Sequence, residues 1–284
     1  ADPRQAASAA VIKADLNIVN IRRTELVPVV LSPEERRIAE NWKRFFQRVM
    51  GVLSQRTDEA GPELITEMYI QQKLAGHPLS CYRRDSTGRG FRLKIVVDMS
   101  GSMVGTFPLV EKLCAVLQHA LDFPFVHLDV IGFNTTEKGC VNIYVFPKRA
   151  AGLTSSRSSV DGITPLSHAI QVAGRDMGGT RDDSHIFVLT DGVPVYQLKG
   201  AGEKGRSNHV DMDTLINWTA AATSELRMQK VKTWCFMIGS HRPTDKQMDR
   251  MFSPGFWREI PQGDVYDSSF QFVVDRFLQY LRSR

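Results

Sequence analysis

Two stretches of this sequence run almost uninterrupted through apolar residues and stop on an aspartate: LKIVVD at 93–98 and HIFVLTD at 185–191. A strand with one wet face alternates polar and apolar residues, so a continuous run implies burial on both faces, as in the middle of a parallel sheet covered by helices. The same kind of segment is expected at Val126–Phe133, Val141–Phe146 and Val231–Ile238. Between them, helical spacing is expected at Pro108–Leu121, Pro165–Met177 and Met212–Arg227. A closing helix, capped by Asp267 or a following serine, carries Phe270, Val273, Val274, Phe277, Leu278 and Leu281 on one stripe. Parallel strands need crossover connections, which helices usually supply. The fold class is therefore α/β: a doubly wound, mainly parallel central sheet with helices on both faces. Both aspartates fall at the carboxyl ends of strands, the edge at which open α/β sheets bind ligands.

The first third reads differently. Ser32, Pro33 and Glu35 form a capping-box start for a helix over 32–57, with Ile38, Trp42, Phe45, Phe46, Val49 and Leu53 on one face. A second helix is expected from Pro62 to Ala75, closed by Gly76. The expected organisation is a helical region over 1–80, a basic linker over 81–90 and the α/β domain over 91–284. The linker belongs to CYRRDSTGRGFRLK, whose five cations face only Asp85. No aromatic stacking row or nucleic-acid motif accompanies it, so it reads as a solvated connection and no nucleic-acid partner is expected.

With 284 residues, 42% of them hydrophobic, the chain has material for a sizeable core. No apolar stretch reaches the roughly 18 residues a bilayer span requires, and the opening residues lack the basic and apolar regions of a signal peptide. No membrane association is expected. The chain starts on Ala and not Met, which leaves a longer precursor open. The four cysteines form no short pair, and Cys114 and Cys235 fall within helix and strand patterns, which suits reduced core thiols and a cytoplasmic location. The sequons at Asn134 and Asn217 are read as chance triplets without a secretion signal.

Three loops can converge at the carboxyl edge. They offer Asp98, Ser100 and Ser102 from DMSGS, Thr164 from GITPL, and Asp191 from LTDG. Taken singly, the serines and threonine could cap helices and Asp191-Gly192 could form a turn. Taken together they are an all-oxygen donor set with few carboxylates, suited to Mg²⁺ with coordination positions left open, Mn²⁺ and Ca²⁺ being alternatives.

DxSxS with the later Thr164 and Asp191 resembles the metal-ion-dependent adhesion site (MIDAS) of von Willebrand factor A (VWA) domains, over roughly residues 91–284. The resemblance implies a doubly wound, Rossmann-like sheet and an ion bound by the two serines and Thr164, with Asp98 and Asp191 acting directly or through water. It also implies a noncatalytic role in which a protein partner donates an acidic side chain to the metal. VWA proteins without secretion signals, including those similar to chelatase subunits, are often paired with MoxR-type AAA+ ATPases. The resemblance and the missing signal thus point to an intracellular adaptor with such a partner. The alternatives are an extracellular adhesion or matrix-binding domain and a component of a phage or defence assembly.

A hydrolase built from Ser100 or Ser102, His168 and Asp191 is disfavoured because no G-x-S-x-G elbow is present, and His168 is read as exposed. No G-x-x-x-x-G-K-[ST] loop occurs, which argues against nucleotide hydrolysis. Asp211-Met212-Asp213 is read as a helix start.

Overall fold

The computed structural model describes residues 19–22, 25–54, 57–58, 63–64, 82–83, 90–135, 140–149, 152–156, 160–178, 182–191, 194–196, 210–238 and 243–282. Its centre is a seven-stranded sheet. The strands β1 to β13 are Val19–Arg22, Val27–Pro28, Thr57–Asp58, Glu63–Leu64, Tyr82–Arg83, Phe91–Asp98, Val126–Asn134, Val141–Val145, Lys148–Arg149, Gly152–Ser155, Asp183–Thr190, Val231–Ile238 and Trp257–Ile260. The helices α1 to α6 are Pro33–Ser54, Phe107–Ala120, Leu166–Gly174, Met212–Met228, Asp245–Phe252 and Val265–Arg282. The large sheet has the order β1-β8-β7-β6-β11-β12-β13, and every neighbouring pair is parallel except β7 with β8.

The β6 side chains show why its sequence is continuous. Leu93, Ile95 and Val97 join the core under α1, α2 and α6, whereas Val96 joins the core under α3, α4 and α5. Successive residues of a strand point to opposite faces, and here both faces are dry. The doubly wound expectation holds, and so do the five strands and their order of appearance.

Several details differ from the sequence reading. Residues 19–22 form an edge strand beside β8, and α1 packs Ala39, Trp42 and Phe46 into the core shared with α2 and α6. The capping box of α1 is present: the Ser32 N–H donates to Glu35 Oε2 at 2.7 Å and the Glu35 N–H to Ser32 Oγ at 3.2 Å. Of the helix expected over 62–75, Glu63–Leu64 is a short strand paired with Tyr82–Arg83, and the remainder lies outside the described residues, as does most of the 81–90 linker. β6 begins at Phe91, so Arg92 joins Lys94 in the strand expected to start at Leu93. The last helix starts at Val265 behind a 3₁₀ turn over Gln262–Asp264, so Asp267 stands in its first turn and does not cap it. Asp211 caps α4 by accepting the Thr214 N–H at 2.9 Å, the expected helix start.

At the amino end of β11, His185 is fully enclosed. Its Nδ1 accepts the Trp234 indole N–H at 3.2 Å, and Phe91 packs against its ring. Asp183 Oδ2 lies 3.1 Å from Nε2, and Lys232 sits 3.1 Å from the other oxygen of that carboxylate. Burial, with Lys232 and Arg276 nearby, lowers the His185 pKa below 6.5 despite Asp183. Burial works to raise the Asp183 pKa, but His185 and Lys232 outweigh it and hold the value at about 2. Both shifts have one sign for stability, since the unfolded chain takes up protons before the folded one does. Stability is expected to fall as pH drops below 6.5 through the histidine, and again from 3.8 towards 2 through the aspartate. His185→Gln keeps an acceptor for Trp234 but cannot titrate. Thermal melts between pH 7 and 5 should fall less steeply for this variant, and an unchanged slope would rule out the histidine as the source.

Candidate metal centre

The register of β6 and β11 builds the site. Val97 pairs with Leu189, so Asp98 and Thr190 emerge side by side at the carboxyl edge, with Asp191 one residue further on. Asp98 is fully buried. Its Oδ1 accepts the Ser100 N–H at 2.8 Å, and its Oδ2 accepts the Thr190 hydroxyl at 2.5 Å. These bonds aim the carboxylate and leave it in place where the chain turns into a 3₁₀ segment, Gly101–Gly105, which carries Ser102. The Ser100 and Ser102 hydroxyls are 3.1 Å apart, and Ser102 donates to Asp191 Oδ1 at 2.9 Å. Four of the five expected residues are therefore joined in one hydrogen-bonded chain.

Thr164 comes from a loop strapped to the same turn. Asp161 N–H donates to the Met99 carbonyl at 2.9 Å, and Gly101 N–H to the Gly162 carbonyl at 3.1 Å. Gly162 has φ of 82°, a left-handed conformation that suits glycine, and its N–H donates to Asp161 Oδ1 at 2.6 Å. Thr135 and Ile163 exchange backbone bonds, and the Thr164 carbonyl accepts from Val195 N–H at 3.0 Å. Thr164 itself is buried, and α3 begins after it at Leu166, one residue later than expected.

Burial raises the Asp98 pKa to about 6; the bonds from Thr190 and Ser100 pull it down, and the charge of Asp191 pushes it up. A nearby dication would offset that electrostatic cost. Among the described residues no three His, Cys, Asp or Glu side chains form a cluster able to hold a metal. The donors at this edge are instead hydroxyls with two carboxylates, an all-oxygen set that fits a hard cation.

His168 differs from its sequence reading. It is fully buried, with its ring 4.8 Å from that of Tyr196 and 5.9 Å from Trp218, and its Nδ1 lies 3.3 Å from Ser167 Oγ. Three residues that the sequence reading passed over support the site: Thr190, Asp161 and Asn134, whose amide donates to the Met99 carbonyl at 3.3 Å. Thr190 alone had a signal, its place directly before a strand-ending aspartate.

No protein-family model matches the sequence, and no curated protein matches it. Solved structures give a weak likeness. The pilus adhesin SpaC of Lactobacillus rhamnosus GG, in its open conformation, is 14% identical with a TM-score of 0.46 over 68% of this chain and 30% of the adhesin. Proximal thread matrix protein 1 of the mussel byssus, in a structure with a zinc-occupied MIDAS motif, is 10% identical with a TM-score of 0.44 over 66% of this chain and 48% of that one. Manganese-loaded TRAP protein of Plasmodium vivax is 13% identical with a TM-score of 0.38 over 63% and 72%. The chain thus spans less than half the length of the first two.

Proposed function

We propose that this chain is a noncatalytic, divalent-metal-dependent protein-interaction module with a VWA-type MIDAS, in which Asp98, Ser100, Ser102, Thr164 and Asp191 hold Mg²⁺, Mn²⁺ or Ca²⁺. The observation carrying this reading is the bonded chain Asp98–Ser100–Ser102–Asp191 at the carboxyl edge of a mainly parallel sheet. A bound ion would be held in part by neutral hydroxyls, and its open coordination positions would take a carboxylate from a partner protein. The side chains of this protein fix where that ion sits: Thr190 and the Ser100 N–H orient Asp98, and the serine hydroxyls present lone pairs.

Our reading of the cellular role is an intracellular adaptor for a MoxR-type AAA+ ATPase, the partner implied by the resemblance. Cys114 and Cys235 accord with a reducing compartment: they are free, buried thiols whose pKa values are raised by burial, as expected of inert core residues. No helix among the described residues is long and apolar enough to cross a membrane.

The test combines two measurements. Calorimetric titration should show saturable Mg²⁺ binding by the unaltered chain, weakened at least tenfold in Asp191→Ala. Tagged protein should retain its native partner in Mg²⁺ and release it in a chelator. Retention that ignores both chelator and the Asp191 change would reject metal-mediated recruitment.

A further inference from the structure

The amide plane joining Met99 to Ser100 lies at the centre of the proposed site and is held on both edges. Its N–H, on Ser100, donates to Asp98 Oδ1 at 2.8 Å. Its carbonyl, on Met99, accepts from Asp161 N–H at 2.9 Å and from Asn134 Nδ2 at 3.3 Å. An amide is planar, so a group that restrains the carbonyl also restrains the N–H. The side chain of Asn134 therefore bears on the bond that aims Asp98.

Asn134 is itself held from further away. Its Oδ1 accepts from Asn142 Nδ2 at 3.1 Å and from the Tyr144 hydroxyl at 3.2 Å. Asn142 Oδ1 accepts from Arg22 Nε at 2.7 Å. Asn134 and Asn142 face each other across the β7–β8 pair, and both are fully buried. Arg22 belongs to β1, the edge strand next to β8, 120 residues earlier in the chain than Asn142. Two amides in a dry interior are costly unless bonded, and here the bonds run in one direction, from the sheet edge to the metal loop.

We propose that Arg22, Asn142 and Asn134 form a positioning relay through which the edge strand Val19–Arg22 sets the metal affinity of the site. The proposal rests on the metal-binding reading above. None of the three is a ligand; each acts by holding the next, and the last holds the Met99–Ser100 amide. β1 has four residues and a single neighbour, as β13 has at the other edge, so it is among the parts of the sheet most easily detached. The relay makes the docking of this strand felt at the site.

The test measures Mn²⁺ binding to the full chain by electron paramagnetic resonance of the free ion, with thermal midpoints taken on the same samples. Arg22→Ala should weaken Mn²⁺ binding about three- to tenfold, less than the roughly 10- to 100-fold typical of groups that bond a ligand directly, because Arg22 acts through two intermediaries. Arg22→Lys, which can still donate to Asn142, should recover most of the loss. In an Asn142→Ala background, Arg22→Ala should add less than a twofold change, because the relay is already cut.

A lowered midpoint with unchanged Mn²⁺ affinity would overturn the proposal, as would losses that multiply in the double variant. Arg22 is only half-buried at the sheet edge, so its two variants decide the matter even if Asn142→Ala fails to fold. Failure of the unaltered chain to bind Mn²⁺ would instead overturn the metal reading, and the relay with it, so the two failures are distinct.

Discussion

Asp98→Asn is expected to lower Mg²⁺ affinity by at least about 100-fold while leaving the metal-free protein as stable as before, or more so. The substitution preserves shape and both local bonds. The amide oxygen can accept the Ser100 N–H, and the amide nitrogen can donate to the Thr190 hydroxyl, whose own proton is free to rotate. What it removes is a charge. Burial raises the carboxyl pKa from 3.8 to about 6, so the ionised form at neutral pH costs roughly 3 kcal/mol relative to the unfolded chain. For a group whose folded pKa is raised, this cost develops as pH climbs from 3.8 through 6. The neutral variant should therefore gain most over the metal-free parent above pH 6 and lose its advantage in acid. Calorimetry and thermal melts at pH 5 and 7.5 check both halves. Undiminished Mg²⁺ affinity would reject Asp98 as a ligand, and a lower midpoint for the metal-free variant would give it a purely structural role.

The parts of this molecule that could be read from sequence are those where local and global demands coincide. β6 and β11 had to be continuous because both faces are buried, and Asp98 closes β6 while Asp191 directly follows β11, where the chain leaves the sheet. The hydroxyls of Ser100 and Ser102 follow from that strand end, and Thr164 from the loop beside it. β1 was not legible: VNIR is four residues long, and its place is set by β8, with Asn20 in register with Asn142. No local signal carries such pairing. Helix α5 was also missed, although Thr244 and Gln247 form a capping box whose reciprocal bonds are present. Its eight residues are mostly polar, and only Met248, Met251 and Phe252 reach the core. His168 was misread because exposure was inferred from polarity. α3 packs against both the sheet and α4, so a polar residue on it can be fully enclosed.

Phe46→Ala is expected to destabilise the whole protein by about 3–5 kcal/mol, the range for truncating an enclosed phenylalanine. Phe46 is fully buried, with its ring 5.2 Å from Phe277 and 5.9 Å from Phe270, both on α6. One turn earlier, Trp42 stacks on Phe270 at 4.6 Å. On the α2 side, Glu35 pairs with Lys112 at 2.9 Å and Glu40 contacts His119 Nε2 at 2.7 Å. These polar contacts are partly exposed and contribute little, so the aromatic cluster carries most of the attachment. Because α1 shares its core with β6, α2 and α6, we propose that residues 33–54 unfold together with the sheet and not as a separate helical domain. For a chain of this size the loss corresponds to a fall of about 5–8 °C in the melting midpoint, with one cooperative transition retained. Scanning calorimetry distinguishes the alternatives directly. A variant whose trace splits, with an early transition for the first 80 residues and an unmoved main transition, would show that the helix is only docked on a domain able to stand without it.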